Sequence, residues 1–310
     1  MSRKRGSLFA AAVVAAFVSV SSPLPGQAFT LPQGVGAVTL AWQYVDNTGH
    51  RLSDGFLRRA GESVTQSAIF EAEYGITDRL SASFGIPYVW AKYTGALPPP
   101  SGLPVDACAC WHSGWQDFAF TARYRLGNDT FAFTPHVRYV LPSHDYRFQG
   151  EAVLGRNLEE LQVGASAGAR LPGLLSRGSV QASYTYAFVE KPVDVDIDRS
   201  NVVFDVGYAA TRRLYARVGA NFQDTPGGLR FGSITGRPFF PPGDYAGHPE
   251  LLSQRDRIGR VKYWQVGGGL SYDVGPADVF AAVSSYVWGR DAHDGEVYTV
   301  GATWYFDLSK

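Results

Sequence analysis

Ten side chains could do chemistry together if the chain brings them to one space: Glu71, Glu73, Asp117, Arg123, Arg125, His136, Arg138, Arg170, Asp205 and Arg217. Charges of both signs inside a narrow channel form a ladder that orients or filters solutes. The same set can instead make a plug of ion pairs that satisfies an interior and conducts nothing. Cys108, Cys110 and His112 form a second group within one short segment. Two thiols in an exported chain are expected to form a local disulfide, because the compartment is oxidising. The rival reading is a soft-metal site, for which three ligands in one loop are few. The spacing also differs from the Cys-x-x-Cys-His of haem attachment. No cofactor and no resident metal is expected.

Catalysis finds little support. A lipid hydrolase needs a nucleophile beside a histidine. His136 has no serine two residues away, and His144, after Pro142 and Ser143, has no evident acidic orienter. Gly-x-Ser-x-Gly is absent. The chain is therefore not expected to be an enzyme, with an outer-membrane lipid-modifying activity kept as the weaker alternative.

The elements that must position these residues repeat along almost the whole chain. Segments of about ten residues, apolar at every second position, recur from Val38 to Phe306. Phe118, Phe120, Ala122, Tyr124 and Leu126 make one such row, and Ala119, Thr121, Arg123 and Arg125 stand between them. A period of two means a strand with two unlike faces. The strands fall near 36–46, 62–74, 79–92, 114–126, 130–141, 158–171, 178–190, 199–210, 213–223, 259–273, 278–289 and 295–307. Tight turns alternate with longer connections at 47–61, 93–113, 142–157, 190–198, 224–258 and 290–294. That grammar predicts an all-β, up-and-down antiparallel transmembrane barrel of about 12 strands. A soluble sandwich shares the periodicity but not the one-sided loop asymmetry.

Arg3, Lys4 and Arg5, the apolar run from Leu8 to Val20, and Gly26-Gln27-Ala28 read as a signal peptide cut after Ala28. Residues 29–310 are then the barrel domain. Three of the 28 bases lie in that leader, which leaves 25 against 28 acids, a net charge of −3. No basic stripe marks a nucleic-acid partner. The content of 17 Tyr, 19 Phe, 7 Trp and 35 Gly suits interfacial girdles and tight turns. Such a chain belongs in the bacterial outer membrane. Its partners there are membrane lipid and lipopolysaccharide, the barrel-assembly machinery that reads an aromatic last strand, and a small-molecule solute.

Three stretches resemble a known family. Tyr74-Gly75-Ile76-Thr77-Asp78-Arg79-Leu80 runs on to Pro87-Tyr88, Gly114-Trp115-Gln116-Asp117-Phe118 leads into Arg123-Tyr124-Arg125-Leu126, and Leu141-Pro142 precedes Leu154-Gly155-Arg156. Together they are similar to the bacterial barrels labelled "MetA-pathway of phenol degradation". Ser143-His144 and Asn157 depart from that family's loop pattern. The resemblance implies passive movement of small hydrophobic or aromatic compounds. It carries over no catalytic residues.

Other expectations follow from the row assignments. Aromatic residues Trp111, Trp115, Phe231, Phe239, Phe240 and Tyr245 could form a capture lid, or only anchor at the outer interface or pack the loops together. Phe29 to Gly34 is too short for an N-terminal plug. Arg123, Arg125, Arg138 and Arg170 should line one wall, apart from Glu71 and Glu73, and set up a field across the lumen. A structural or adhesive barrel whose loops bind a partner is the main alternative function.

Overall fold

The computed structural model describes residues 28–308, apart from 60, 96–108, 151, 174–175, 231–242, 246–250 and 252–253. All of the expected leader except Ala28 therefore lies outside the described residues. Twelve strands form the wall: β1 (Val35–Arg51), β2 (Gly61–Gly75), β3 (Leu80–Gly95), β4 (in segments His112–Trp115, Asp117–Tyr124 and Leu126–Gly127), β5 (Phe131–Pro142) and β6 (Glu160–Arg170). They continue as β7 (Gly178–Val189), β8 (Arg199–Ala209), β9 (Leu214–Asp224), β10 (Lys262–Asp273), β11 (Ala277–Arg290) and β12 (Ala292–Asp307). Each pairs antiparallel with its neighbours in sequence, and β12 pairs with β1 from Val35↔Asp307 to Arg51↔Ala292. The sheet is closed, so it has no free edge.

The faces are inverted relative to a water-soluble fold. Leu40, Phe120, Phe133, Val163, Phe204, Val218, Leu270 and Val300 are exposed on the outside. Thr39, Gln43, Thr134, Ser166, Asn221, Gln265 and Thr303 are buried within. An exposed apolar band around a closed sheet is the surface that hydrocarbon requires. A sandwich core, packed with the apolar rows, is ruled out by the same burial pattern. Aromatic residues concentrate towards the two ends of that band. Trp90 stacks with Tyr88 and Trp42, and Trp264 with Phe222, towards the loop end. Tyr124, Phe131, Tyr272, Trp304 and Phe306 face out towards the end that carries both termini.

Two details differ from the sequence expectation. The connection at 290–294 is extended rather than looped: β11 runs on to Arg290 along β10 and β12 starts at Ala292 along β1, with Asp291 (φ 49°) between them, while β11 and β12 pair with each other only as far as Ser285↔Glu296. These strands continue beyond their apolar stretch, which hid the turn. On β11 apolar residues stand at both parities, Val279, Ala281 and Val283 alternating with Phe280 and Ala282, and the structure separates the two faces. Val279 and Ala281 point out, whereas Phe280 lies over the bare backbone of Gly301 inside. A bulge between Trp264 and Gln265 of β10 and the facing β11 residues then leaves both Val287 and Trp288 exposed.

A cylinder closed by continuous hydrogen bonding should resist dodecyl sulfate until heated. The folded protein is expected to run faster on gels unboiled than boiled; migration that does not change on boiling would contradict closure.

Candidate functional site

The lumen holds the polar groups, and parity on each strand puts them there. Arg123 on β4 is ion-paired with Glu73 on β2 and so reaches across β3. Ser81, fully buried opposite Arg123, and Ser83, opposite Glu73, are small enough to lie beneath that bridge. His136 on β5 reaches Thr185 on β7 with Nε2 3.0 Å from Oγ1. Gly164 of β6 lies under it, where a Cβ would meet Nε2 at 2.7 Å. Arg217 Nε donates to Asp205 Oδ2 at 2.9 Å. Arg138 stands among the charges of Glu71, Glu160 and Arg199.

Nearer the loops, Glu160 accepts from Arg156 at 2.6 Å and from Arg199 at 2.5 Å, with Gln162 donating at 2.8 Å. Asp117 sits at the mouth and accepts the Tyr146 hydroxyl at 2.5 Å. Burial and the Asp117 carboxylate push the Tyr146 hydroxyl up, so it stays a donor.

Not every row member stays in the channel. Arg125 bends to the turn end, where it binds Asp129 at 2.9 Å and the Asp78 carbonyl at 3.1 Å. Arg170 lies at the same end, with its guanidinium 5.4 Å from the centre of the Phe29 ring. The opposed acid and base clusters expected from sequence do not form. Parity gave the wall but not the height, and equal heights let Arg123 and Glu73 pair along one wall.

Both ends of the lumen are covered. At the loop end Leu52, Tyr245 and Ile258 form a buried apolar cluster with Val195, Leu229 and Leu251. Leu158, Ala187, Val189 and Ile197 form a second, which Val195 joins to the first. Arg257 ties the two sides by donating to the Asn157 carbonyl at 3.1 Å and by stacking on Phe148 at 3.8 Å. Tyr245 is thus part of a lid, and burial pushes its hydroxyl up. Trp111 and Trp115 are exposed instead, and Trp115 packs on the outward Tyr88. Phe231, Phe239 and Phe240 lie outside the described residues.

At the other end the N-terminal segment crosses the mouth, which the sequence did not anticipate. Gly34 N–H donates to the Gly75 carbonyl at 2.9 Å beside β1. Gln33 N–H meets Asp78 Oδ1 at 3.1 Å, and Ala28, fully buried, is hydrogen-bonded to β5 and β7. Bare backbone made the short strap sufficient: a Cβ on Gly75 would fall 2.0 Å from the Pro32 carbonyl, and one on Gly168 2.7 Å from the Ala28 Cβ.

Cys110 is disulfide-bonded. The chain's other cysteine, Cys108, lies outside the described residues, and His112 opens β4. Among the described residues no three His, Cys, Asp or Glu side chains are placed to hold a metal. Ser143 Oγ lies 2.9 Å from His144 Nδ1 and also 3.3 Å from the Trp115 carbonyl, while the His144 ring packs on Tyr146. That pair clasps a loop.

No protein-family model matches the chain, and no curated protein matches it in sequence. Among solved structures, the COG4313 outer membrane channel from Pseudomonas putida F1 is similar with a TM-score of 0.70, at 13% identity over 92% of this chain and 100% of that one. The likeness is one of fold. The toluene transporter TodX from P. putida aligns at a TM-score of 0.45 and 11% identity, over 89% of this chain and 91% of that one. A KdgM porin complex with oligogalacturonate aligns at 0.48 and 8%, over 86% and 99%. Neither of the last two carries weight.

Glu160 holds two guanidinium groups together while only 6% exposed. Glu160→Gln should cost about 1–3 kcal/mol, because it leaves both cations without an acid. Adding Arg199→Gln should recover part of that loss by removing the repulsion. The urea midpoint of the micelle-solubilised protein reads both effects.

Proposed function

We propose that the protein is a passive channel of the bacterial outer membrane for small hydrophobic or aromatic compounds, and not an enzyme. The observation that carries this reading is the interior itself. Among the described residues the barrel holds no apolar core between its ends, and hydrogen-bonded polar rows run there from the strap to the lid. Such an interior lets a solute exchange one set of polar contacts for another along its path. The fold it shares with a described outer membrane channel supports the reading.

Orientation follows from the fold. The end with both termini and the tight turns faces the periplasm, and the long loops face outward. The leader of residues 1–28 is removed on export. The last strand, with Tyr298, Val300, Trp304 and Phe306 turned to lipid, addresses the assembly machinery, and the long loops meet lipopolysaccharide. Glu71, Glu73, Asp117, Arg123, His136, Arg138, Asp205 and Arg217 line the path, and their pairing keeps it near neutral. Arg125 and Arg170 guard its periplasmic rim.

The lid must yield for a solute to pass. Its hold is apolar, and a solute with apolar surface can replace the contacts of Ile258 and Leu52. Ile258→Asp should weaken the lid by burying a charge in the cluster. Proteoliposomes carrying wild-type protein should take up small aromatic solutes, and Ile258→Asp should take them up faster. Protein that reconstitutes folded yet admits no solute in either form would favour an adhesive barrel instead. Neutralising Arg123 leaves Glu73 unpaired, so Arg123→Gln should move the planar-bilayer reversal potential towards cations. An unchanged potential would make this pair scaffold alone.

A further inference from the structure

Arg170 differs from the other arginines of the barrel. Arg123, Arg217 and Arg199 each hold a carboxylate in the lumen, and Arg125 holds one at the rim. Among the described residues no carboxylate pairs with Arg170, whose contact is the face of the Phe29 ring. A guanidinium with free donors beside an aromatic ring is a half-built anion site.

The other half lies one step into the lumen. Thr134 Oγ–H donates to the Ala28 carbonyl at 2.6 Å, and the Ala28 N–H donates to Gln181 Oε1 at 3.1 Å. Gly168 between them offers no side chain, and a Cβ there would also crowd the Phe29 ring at 3.2 Å. The wall therefore presents a hydroxyl donor, an amide and an open strip of backbone, all occupied by one residue of the strap.

Removal of the leader after Ala28 deletes that residue. The hydroxyl of Thr134 and the carboxamide of Gln181 then lose their partner, and the new α-ammonium of Phe29 stands beside them. An α-amino group is charged below about pH 8. The charged and titratable groups at this end are Arg170 on β6, His136 one inward step along β5, Asp78, whose carboxylate already accepts from Gln33 N–H, and Arg125, which is taken up by Asp129 and the Asp78 carbonyl. Two cations and two neutral hydrogen-bonding groups then surround a space vacated by one residue.

We propose that Phe29, Arg170, Thr134 and Gln181 form a carboxylate subsite at the periplasmic rim, and that its ligand is a small aromatic acid. The carboxylate lies between the Phe29 ammonium and the Arg170 guanidinium, accepts from Thr134, and its ring packs against the ring of Phe29. The proposal rests on the channel reading for its role and on leader removal for its shape. It narrows the solute from hydrophobic compounds in general to those that carry one negative charge.

The test uses the full mature protein in detergent, with N-terminal sequencing first and heat-modifiable migration as the check on folding. Calorimetric titration with benzoate should show binding at one site, and benzyl alcohol, of similar shape but neutral, should bind much more weakly. Arg170→Gln and Thr134→Val should each fold, and Arg170→Gln should lower benzoate affinity about tenfold or more. Equal binding of the two probes, full benzoate affinity in Arg170→Gln, or a mature chain that starts elsewhere than Phe29 overturns the subsite. Benzoate uptake by proteoliposomes is read separately. Binding without uptake removes the channel reading and leaves the subsite standing; uptake without Arg170-dependent binding does the reverse.

Discussion

Everything in this molecule depends on the pairing of its first strand with its last. The ladder between β1 and β12 converts an open sheet, with two rows of unpaired amides, into a cylinder in which every strand has two neighbours. Only then can the wall stand in hydrocarbon, where an unpaired backbone group costs several kcal/mol. Closure also determines what the side chains must do. One face of every strand meets lipid and carries Leu, Val, Phe and Trp, and the other meets a space too narrow to be treated as bulk water. Polar groups on that inner face have to satisfy one another.

They do so by a repeated device. Strands two apart are separated by about 10 Å, twice the interstrand spacing. Long side chains span that gap when the strand between them carries a small residue. His136 reaches Thr185 over Gly164, and Tyr215 reaches Ser179 at 2.7 Å over Gly207. Arg123 meets Glu73 across the serines of β3, and Arg199 meets Glu160 across β7, where Ala187 is fully buried. The glycines and serines of the inner rows are thus the floors of these bridges. Their effect is to lay charge pairs flat along the wall, where they leave the axis of the barrel to something else.

The sequence showed the wall clearly because a period of two leaves a strong signal in every strand, as in Phe131, Phe133 and Val137 against Thr134, His136 and Arg138. It showed much less of the interior. Parity says that Arg123 and Glu73 both face inward but not that they share a height, which depends on the stagger of β2, β3 and β4. The strap is hidden in sequence because Phe29 to Gly34 is only six residues long, and the signal that marks it is Gly75 and Gly168, whose backbone it lies against. The lid was invisible for another reason. Leu52, Ile197, Leu229 and Ile258 come from three separate loops, and no periodicity links residues that meet only after the barrel has closed.

The two closures differ in kind, and the difference constrains what could pass between them. The lid is held by apolar burial, with Val195 joining its two clusters, so it weakens only when apolar surface is offered in exchange. The strap is held by the Gly34 and Gln33 amides and by one ring on a guanidinium, so polar or charged groups compete for it. A purely apolar solute meets only the Phe29 ring at the strap, and a purely ionic one meets no exchange partner in the apolar lid clusters. Between them lies a wall whose charges are largely paired and offer little net field to hold either. A solute that satisfies both ends in turn needs an apolar body and a polar head on one small frame.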